Sequence, residues 1–246
     1  MTPIISRNEI TQLRAELTRF SMAYKFALDE ITTKINILQE EFRLTHESSP
    51  IEHVNTRVKS PESLFKKVAK QKVGLSLQEI KENIRDIAGI RIICSFVSDI
   101  YRVFDMIKRQ TDIEIVEVKD YIKQPKPNGY QSLHVIMKVP VFMSDRMEKV
   151  YVEMQIRTIA MDFWASLEHK IYYKYNKQVP SYLTDELHEA AIAASQLDQK
   201  MERLNNEVNV LKAHNQEDDR LLAKDDLAQI MLEIMENIGV HTKNVQ

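Results

Sequence analysis

Only four glycines, Gly74, Gly89, Gly129 and Gly239, occur in this chain of 246 residues. Usual glycine content is about 7%. Neither G-x-x-x-x-G-K-[ST] nor G-x-G-x-x-G can be written with these four, so folds that cradle phosphate on a glycine-rich loop are excluded. Any phosphate bound here must be met by side chains and helix ends. The remaining pattern points to a mixed sheet. A short extended piece runs from His53 to Lys59, and four apolar, β-branched runs follow: Ile87 to Val97, Ile113 to Tyr121, Ser132 to Val139 and Lys149 to Arg157. A helix from Ser98-Asp99 to about Thr111 separates the first two runs. Helix resumes near Thr158 and continues through Trp164 to about Tyr175. This order predicts an α+β fold, a mixed β-sheet core of about five strands flanked by helices.

Both ends of the chain read as helix. Ser6-x-x-Glu9 is a capping box, after which apolar residues recur at 10, 13, 17, 20, 24, 27, 31, 35, 38 and 42, stopping before His46-Glu-Ser-Ser-Pro50. Ser60 is a good N-cap and Pro61 a good first residue for a basic helix reaching Lys72. Near the other end, Leu187, Ala190, Ala194, Leu197, Met201, Leu204, Val208 and Leu211 alternate steps of three and four, a heptad seam. A second amphipathic helix is expected after Asn215-Gln216-Glu217-Asp218, using Leu227, Ile230, Met231 and Ile234. The expected organisation is an N-terminal helical extension over 1–50, a central domain over 51–178 and a C-terminal helical oligomerisation region over 179–246.

Hydrophobic residues make up 43% of the chain, enough for a proper core. The single Cys94 lies in an apolar run and reads as a buried small hydrophobe in a reducing compartment. No basic-then-apolar leader opens the chain, and no apolar run approaches ~18 residues. A soluble cytoplasmic protein without a membrane or DNA partner is expected. The net charge of −2 is unevenly spread. Residues 185–237 hold 13 acidic and 5 basic side chains, a balance of −8 that leaves +6 elsewhere. Arg57, Lys59, Lys66, Lys67, Lys70 and Lys72 stand against Glu62 alone, so an anionic ligand suits the middle of the chain.

Several constellations could carry chemistry. Lys119 to His134 packs three lysines, an Asn128-Gly129 turn, an exposed-looking Tyr130 and a histidine into one stretch. It is either a loop that holds a nucleotide or an ordinary hairpin whose lysines solvate an edge. In the last strand Val150, Val152, Met154 and Ile156 point one way, and Tyr151, Glu153, Gln155 and Arg157 the other. The polar row is either a solvent-facing strand or half of a site. Asp86 stands at the mouth of an apolar strand that Arg91 interrupts, and a buried-looking arginine needs an anion. Asp86 is either a cap or salt-bridge partner, or, with Glu153, a pair suited to Mg²⁺ and substrate phosphates. Arg57 and Lys59 share a face and end where the Ser60-capped helix begins. With Ser63, Lys66 and Lys67 they suit a polyphosphate or make a basic surface helix. Asp162 could accept two N–H groups of guanine or simply favour a helix start.

Five runs, in order, resemble the synthetase domain of the RelA/SpoT-homology family, and specifically its single-domain small alarmone synthetases. They are Arg57-Val-Lys59-Ser-Pro-Glu-Ser63 with Lys67, Asp86-Ile-Ala-Gly-Ile-Arg91, Lys119-Asp-Tyr-Ile, Lys126-Pro-Asn-Gly-Tyr130-Gln-Ser-Leu-His134, and Glu153-Met-Gln155-Ile-Arg157-Thr. The resemblance covers roughly residues 51 to 176, and the Asn-Gly-Tyr-x-Ser-Leu-His form leans towards a RelP-like branch. It implies a nucleotidyltransferase-like sheet and a pyrophosphokinase that moves the β,γ-diphosphate of ATP to the ribose 3′-hydroxyl of GTP or GDP. The products would be (p)ppGpp and AMP, made in the stringent response. By that similarity Arg57, Lys59, Ser63, Lys67 and Arg91 would hold ATP. Asp86 and Glu153 would bind Mg²⁺, with Glu153 as base or as ligand only. Tyr130 would stack on guanine, Lys119, Lys126 and His134 would meet the acceptor's phosphates, and Gln155 and Asp162 would complete the GTP site. Some relatives carry asparagine at the position of Asp162. The resemblance further implies a homotetramer, a possible alarmone effector, and synthesis without hydrolysis, since no His-Asp metal motif precedes the synthetase region.

Two rivals compete with this expectation. A nucleotidyltransferase would transfer AMP and release pyrophosphate, and a non-catalytic oligomeric regulator would bind nucleotide or RNA through the basic segments. Within the family itself, an adenine acceptor is a third possibility.

Overall fold

A computed structural model describes residues 7–45, 48–173 and 180–218. The chain divides into two units, Met1–Glu202 and Arg203–Gln246. The first contains a five-stranded mixed sheet of order β1-β2-β5-β4-β3, built from β1 (Ile51–Val58), β2 (Ala88–Cys94), β3 (Glu114–Asp120), β4 (Leu133–Phe142) and β5 (Met147–Thr158). Only β2 and β5 run parallel, and the other three pairings are antiparallel. The helices are α1 (Arg7–Thr45), α2 (Pro61–Gln71), α3 (Leu77–Asn83), α4 (Val97–Lys108), α5 (Ile159–Tyr173) and α6 (Ser181–Asp218). The expected α+β architecture is the observed one, with element ends moved by a few residues.

Alternation in the strands decides which face is buried. Ile90 and Ile92, Val135, Met137 and Val139, and Val152, Met154 and Ile156 all point to one side and are buried. The long first helix covers that side. Its Phe20, Ala23, Tyr24, Ala27, Leu28, Ile31, Ile35, Leu38 and Phe42 recur at steps of one to four and are buried, and α1 contacts β1, β2, β4 and β5. Ile100, Val103 and Ile107 of α4 join the same core. With one face sealed by helix, the polar residues of the same strands are left on the opposite face, where the site forms.

Ser60 caps α2 as its sequence predicts, its Oγ accepting the Ser63 amide at 3.3 Å with Pro61 in the first turn. The helix ends on Lys72 in the left-handed region, φ 55°. A short helix that sequence reading did not anticipate is α3. Its signal was present, for Ser76 and Glu79 form a capping box in which Ser76 Oγ accepts the Glu79 amide at 3.2 Å. The heptad seam lies on α6, which continues without interruption to Asp218. Leu227, Ile230, Met231 and Ile234, expected on a further helix, lie outside the described residues. Among the described residues no helix is long and apolar enough to cross a membrane.

Candidate active site

Register across the sheet lines up two rows on this face, the second of them polar throughout. Arg57, Gly89, Glu153, Ile136 and Glu117 stand abreast on β1, β2, β5, β4 and β3. Asn55, Arg91, Gln155, His134 and Lys119 form the next row. Segments separated by up to ~100 residues thus meet because an antiparallel edge, a parallel crossover and a hairpin share one sheet. A cleft opens on this face between Asn55, Thr56 and Arg57 on one side and Arg91, Glu153 and Gln155 on the other, with Gly89 as its floor. A Cβ at Gly89 would lie 3.6 Å from Arg57 Cγ and Nε, so the Arg57 side chain crosses β2 where that strand has no side chain to block it.

Asp86 lies in the turn that enters β2. Its Oδ2 accepts Lys67 Nζ at 2.6 Å and Lys59 Nζ at 3.1 Å. Burial alone would raise its pKa, but the two lysines outweigh burial and hold the carboxyl below the usual carboxylate range. Its Oδ1 is buried with no hydrogen-bond partner among the described residues. A buried, ionised oxygen without a partner is costly unless a cation or donor meets it. Glu153 opposes Gly89 on the neighbouring strand, and the charge of Asp86 is near enough to raise its pKa. Burial also raises it, yet the hydrogen bond and charge of His134 bring Glu153 below the usual range. Two ionised carboxylates, one with an unmatched oxygen, suit Mg²⁺, which takes one or two protein carboxylates and completes its shell with water and substrate phosphates.

Glu153 also anchors a hydrogen-bonded chain that runs to the loop carrying Tyr130. Its Oε1 is 3.2 Å from His134 Nδ1, and His134 Nε2 is 2.7 Å from the Tyr130 hydroxyl. Its Oε2 accepts Gln155 Nε2 at 3.0 Å, while Gln155 Oε1 accepts Arg157 Nη2 at 2.9 Å. Arg157 Nη2 donates to the Tyr130 hydroxyl as well, which closes the circuit. Arg157, only 4% exposed, further donates to Ser132 Oγ at 3.3 Å and to Asp162 Oδ1 at 3.1 Å. Arg157 closes the β5 run Glu153-Met-Gln155-Ile-Arg157-Thr, whose order alone assigns it no role. Its position at the end of the β5 alternation was visible, but its burial depends on α5 and on the loop before β4.

The loop itself is a tight turn, as Asn128-Gly129 predicts. The Gly129 amide donates to Lys126 O at 2.8 Å, and Gly129 has φ 86°, in the region that favours glycine. Tyr130 is half-buried rather than exposed. It packs beside Trp164, Ala165 and Ala191, and Lys126 Nζ lies 4.6 Å from its ring centre. Tyr121 and His134 meet its ring edge-on. The start of α6 backs this loop: a Cβ on Gly129 would come within 2.5 Å of Ala191 Cβ, and Trp164 Nε1 donates to Leu187 O at 2.9 Å. The reason Tyr130 is covered is therefore tertiary, an α5–α6 corner that its own segment does not reveal.

The other sequence-predicted residues also have partners. Lys119 Nζ is 3.0 Å from Glu117 Oε1. Ser63 accepts the Ser60 hydroxyl at 2.9 Å. Arg91, half-buried, reaches Asp162 Oδ1 at 3.1 Å. Burial and the neighbouring Arg157 lower the Arg91 pKa while Asp162 raises it. Asp162 thus takes two guanidinium groups on one oxygen.

The sequence model for the region found in RelA and SpoT proteins matches residues 56–178. The GTP pyrophosphokinase YwaC of Bacillus subtilis (strain 168) is 56% identical over 188 residues, spanning 76% of this chain and 90% of that protein. This chain belongs to the RelA/SpoT family. The structure of small alarmone synthetase 2 from B. subtilis superposes with a TM-score of 0.72 at 53% identity, covering 78% of this chain and 99% of that one. Small alarmone synthetase 1 from the same organism, bound to its product pppGpp, gives a TM-score of 0.73 at 37% identity, covering 78% and 98%.

Proposed function

We infer that the protein is a GTP pyrophosphokinase that makes (p)ppGpp from ATP and a guanosine nucleotide. The observation that carries this is a cleft lined by Arg57, Arg91, Glu153 and Gln155, with Asp86 near enough to raise the Glu153 pKa, Lys59 and Lys67 paired to Asp86, and His134 and Tyr130 joined to Glu153 by hydrogen bonds. Diphosphoryl transfer needs alignment and charge neutralisation more than covalent help from the protein. The 3′-oxygen of the acceptor forms a bond to the β-phosphorus of ATP. The bond from that phosphorus to the oxygen bridging the α-phosphate breaks, and AMP leaves with the electron pair.

The cationic flank holds the donor's phosphates in line, and the positive end of the α2 dipole adds to it. Glu153 takes the hydroxyl proton, or holds the metal if that proton goes to water. His134 and Gln155 fix the carboxylate for either role through the hydrogen bonds described above. Tyr130 and Lys126, with Lys119 farther along the row, seat the guanosine nucleotide. The metal implied is Mg²⁺, held by Asp86 and Glu153, and it would neutralise charge developing on the phosphoryl oxygens. We further infer a homotetramer in a cytoplasmic setting, where ATP and guanine nucleotides are abundant.

Incubation of purified protein with ATP, GTP and Mg²⁺, followed by chromatography, tests the reaction. AMP should appear one for one with a guanosine nucleotide carrying a 3′-diphosphate. Pyrophosphate without AMP would establish a nucleotidyltransferase instead, and absence of any turnover would favour a binding regulator.

A further inference from the structure

We propose that Asp162 is a positioning residue that couples the donor and acceptor seats through one shared carboxylate oxygen, an inference that rests on the pyrophosphokinase function above. Its Oδ1 accepts a hydrogen bond from Arg157 Nη1 of β5 at 3.1 Å and forms an ion pair with Arg91 Nη1 of β2 at the same distance. Arg91 lines the donor cleft. Arg157 grips the Tyr130 hydroxyl and Gln155 Oε1 with its other terminal nitrogen. The run Arg91–Asp162–Arg157–Tyr130 is thus an unbroken polar connection from the donor side to the aromatic seat of the acceptor.

The connection is under-neutralised. Two guanidinium groups share one carboxylate, and each weakens the hold of the other on it. Arg91 also has a buried Nε without a hydrogen-bond partner among the described residues. Arg91 is therefore the member most open to a new acceptor, and a donor nucleotide supplies anionic oxygens beside it. As Arg91 turns to the nucleotide, Asp162 falls to Arg157 alone. Arg157 then holds Tyr130 and Gln155 in one arrangement, and the acceptor finds its seat already ordered. Linkage makes the effect reciprocal: whatever the donor gains for the acceptor, the acceptor gains for the donor. A bidentate grip on guanine would need both Asp162 oxygens facing the base, whereas Oδ1 is already engaged with both arginines.

Calorimetric titration of GTP into the wild type, with and without a non-hydrolysable ATP analogue and Mg²⁺, reads the coupling directly. The analogue should tighten GTP binding by about fivefold or more. Asp162→Asn keeps the shape and removes the charge, and should bring that factor close to one. Arg157→Lys, which keeps charge but loses the fork, should do the same. Lys119→Ala, whose ammonium pairs with Glu117 and lies off this connection, should weaken GTP binding yet keep the wild-type factor. Tyr130→Phe removes the hydroxyl at the far end without deleting the ring, should also bring the factor close to one, and serves if the Asp162 variant does not fold. A wild-type factor of one, a full factor in Asp162→Asn, or an equal loss in Lys119→Ala would each overturn the coupling. If the wild type binds neither nucleotide and forms no AMP, the pyrophosphokinase function fails first and takes the coupling with it.

Discussion

Glu153 is held in its ionised form by a histidine and an amide while burial works against it. Removing the charge while keeping the shape separates chemistry from binding. Glu153→Gln should lower turnover by about 10²-fold or more, while affinity for an ATP analogue changes little. Loss of both together would assign Glu153 to binding alone. Asp86 allows a prediction in pH. Its folded pKa lies below the unfolded value near 3.9, so its pairing with Lys67 and Lys59 contributes stability above that value and loses it as the pH falls through the folded pKa. Urea unfolding of the metal-free protein, followed by the single tryptophan, Trp164, should show that loss only below about pH 4. The Asp86→Asn variant should have a shallower slope there, and an unchanged slope would mean that other carboxylates dominate.

The loop around Gly129 packs directly on the first turns of α6. Gly129 adopts φ 86°, and a methyl group there would lie 2.5 Å from Ala191 Cβ. A left-handed non-glycine residue costs about 1–2 kcal/mol before any overlap is counted. Gly129→Ala should therefore lower stability by at least that amount in urea titrations, and should raise KM for the guanosine substrate more than KM for ATP. Equal effects on both substrates would indicate that the loop serves the whole cleft rather than the acceptor half. The strands give the opposite case. β5 alternates so regularly that its buried and polar residues are evident from order alone, and its register against β2 then places Glu153 beside Gly89.

Across the whole molecule the remaining question is what covers the last turns of α6. In the second unit Leu204, Val208 and Leu211, at heptad steps, are 41%, 48% and 63% exposed. An apolar seam of this kind is expected to pack on another copy of the helix, in keeping with the proposed homotetramer. The double variant Leu204→Glu with Val208→Glu should shift the mass measured by light scattering to a smaller species. An unchanged mass would place the subunit contacts elsewhere.

The order of residues by itself determined the α+β class, the polar face of β5, the Ser60 cap and the Gly129 turn. Each follows from local rules: side-chain period, capping chemistry and backbone sterics. Tertiary structure alone decided that Tyr130 is half-buried, that Arg157 is a buried hub, and that Asp162 is divided between two arginines. Those facts depend on which strands pair and on where α5 and α6 come to rest. No local period encodes them, because the residues that meet come from β2, β5, α5 and the loop before β4 and become neighbours only when the sheet closes.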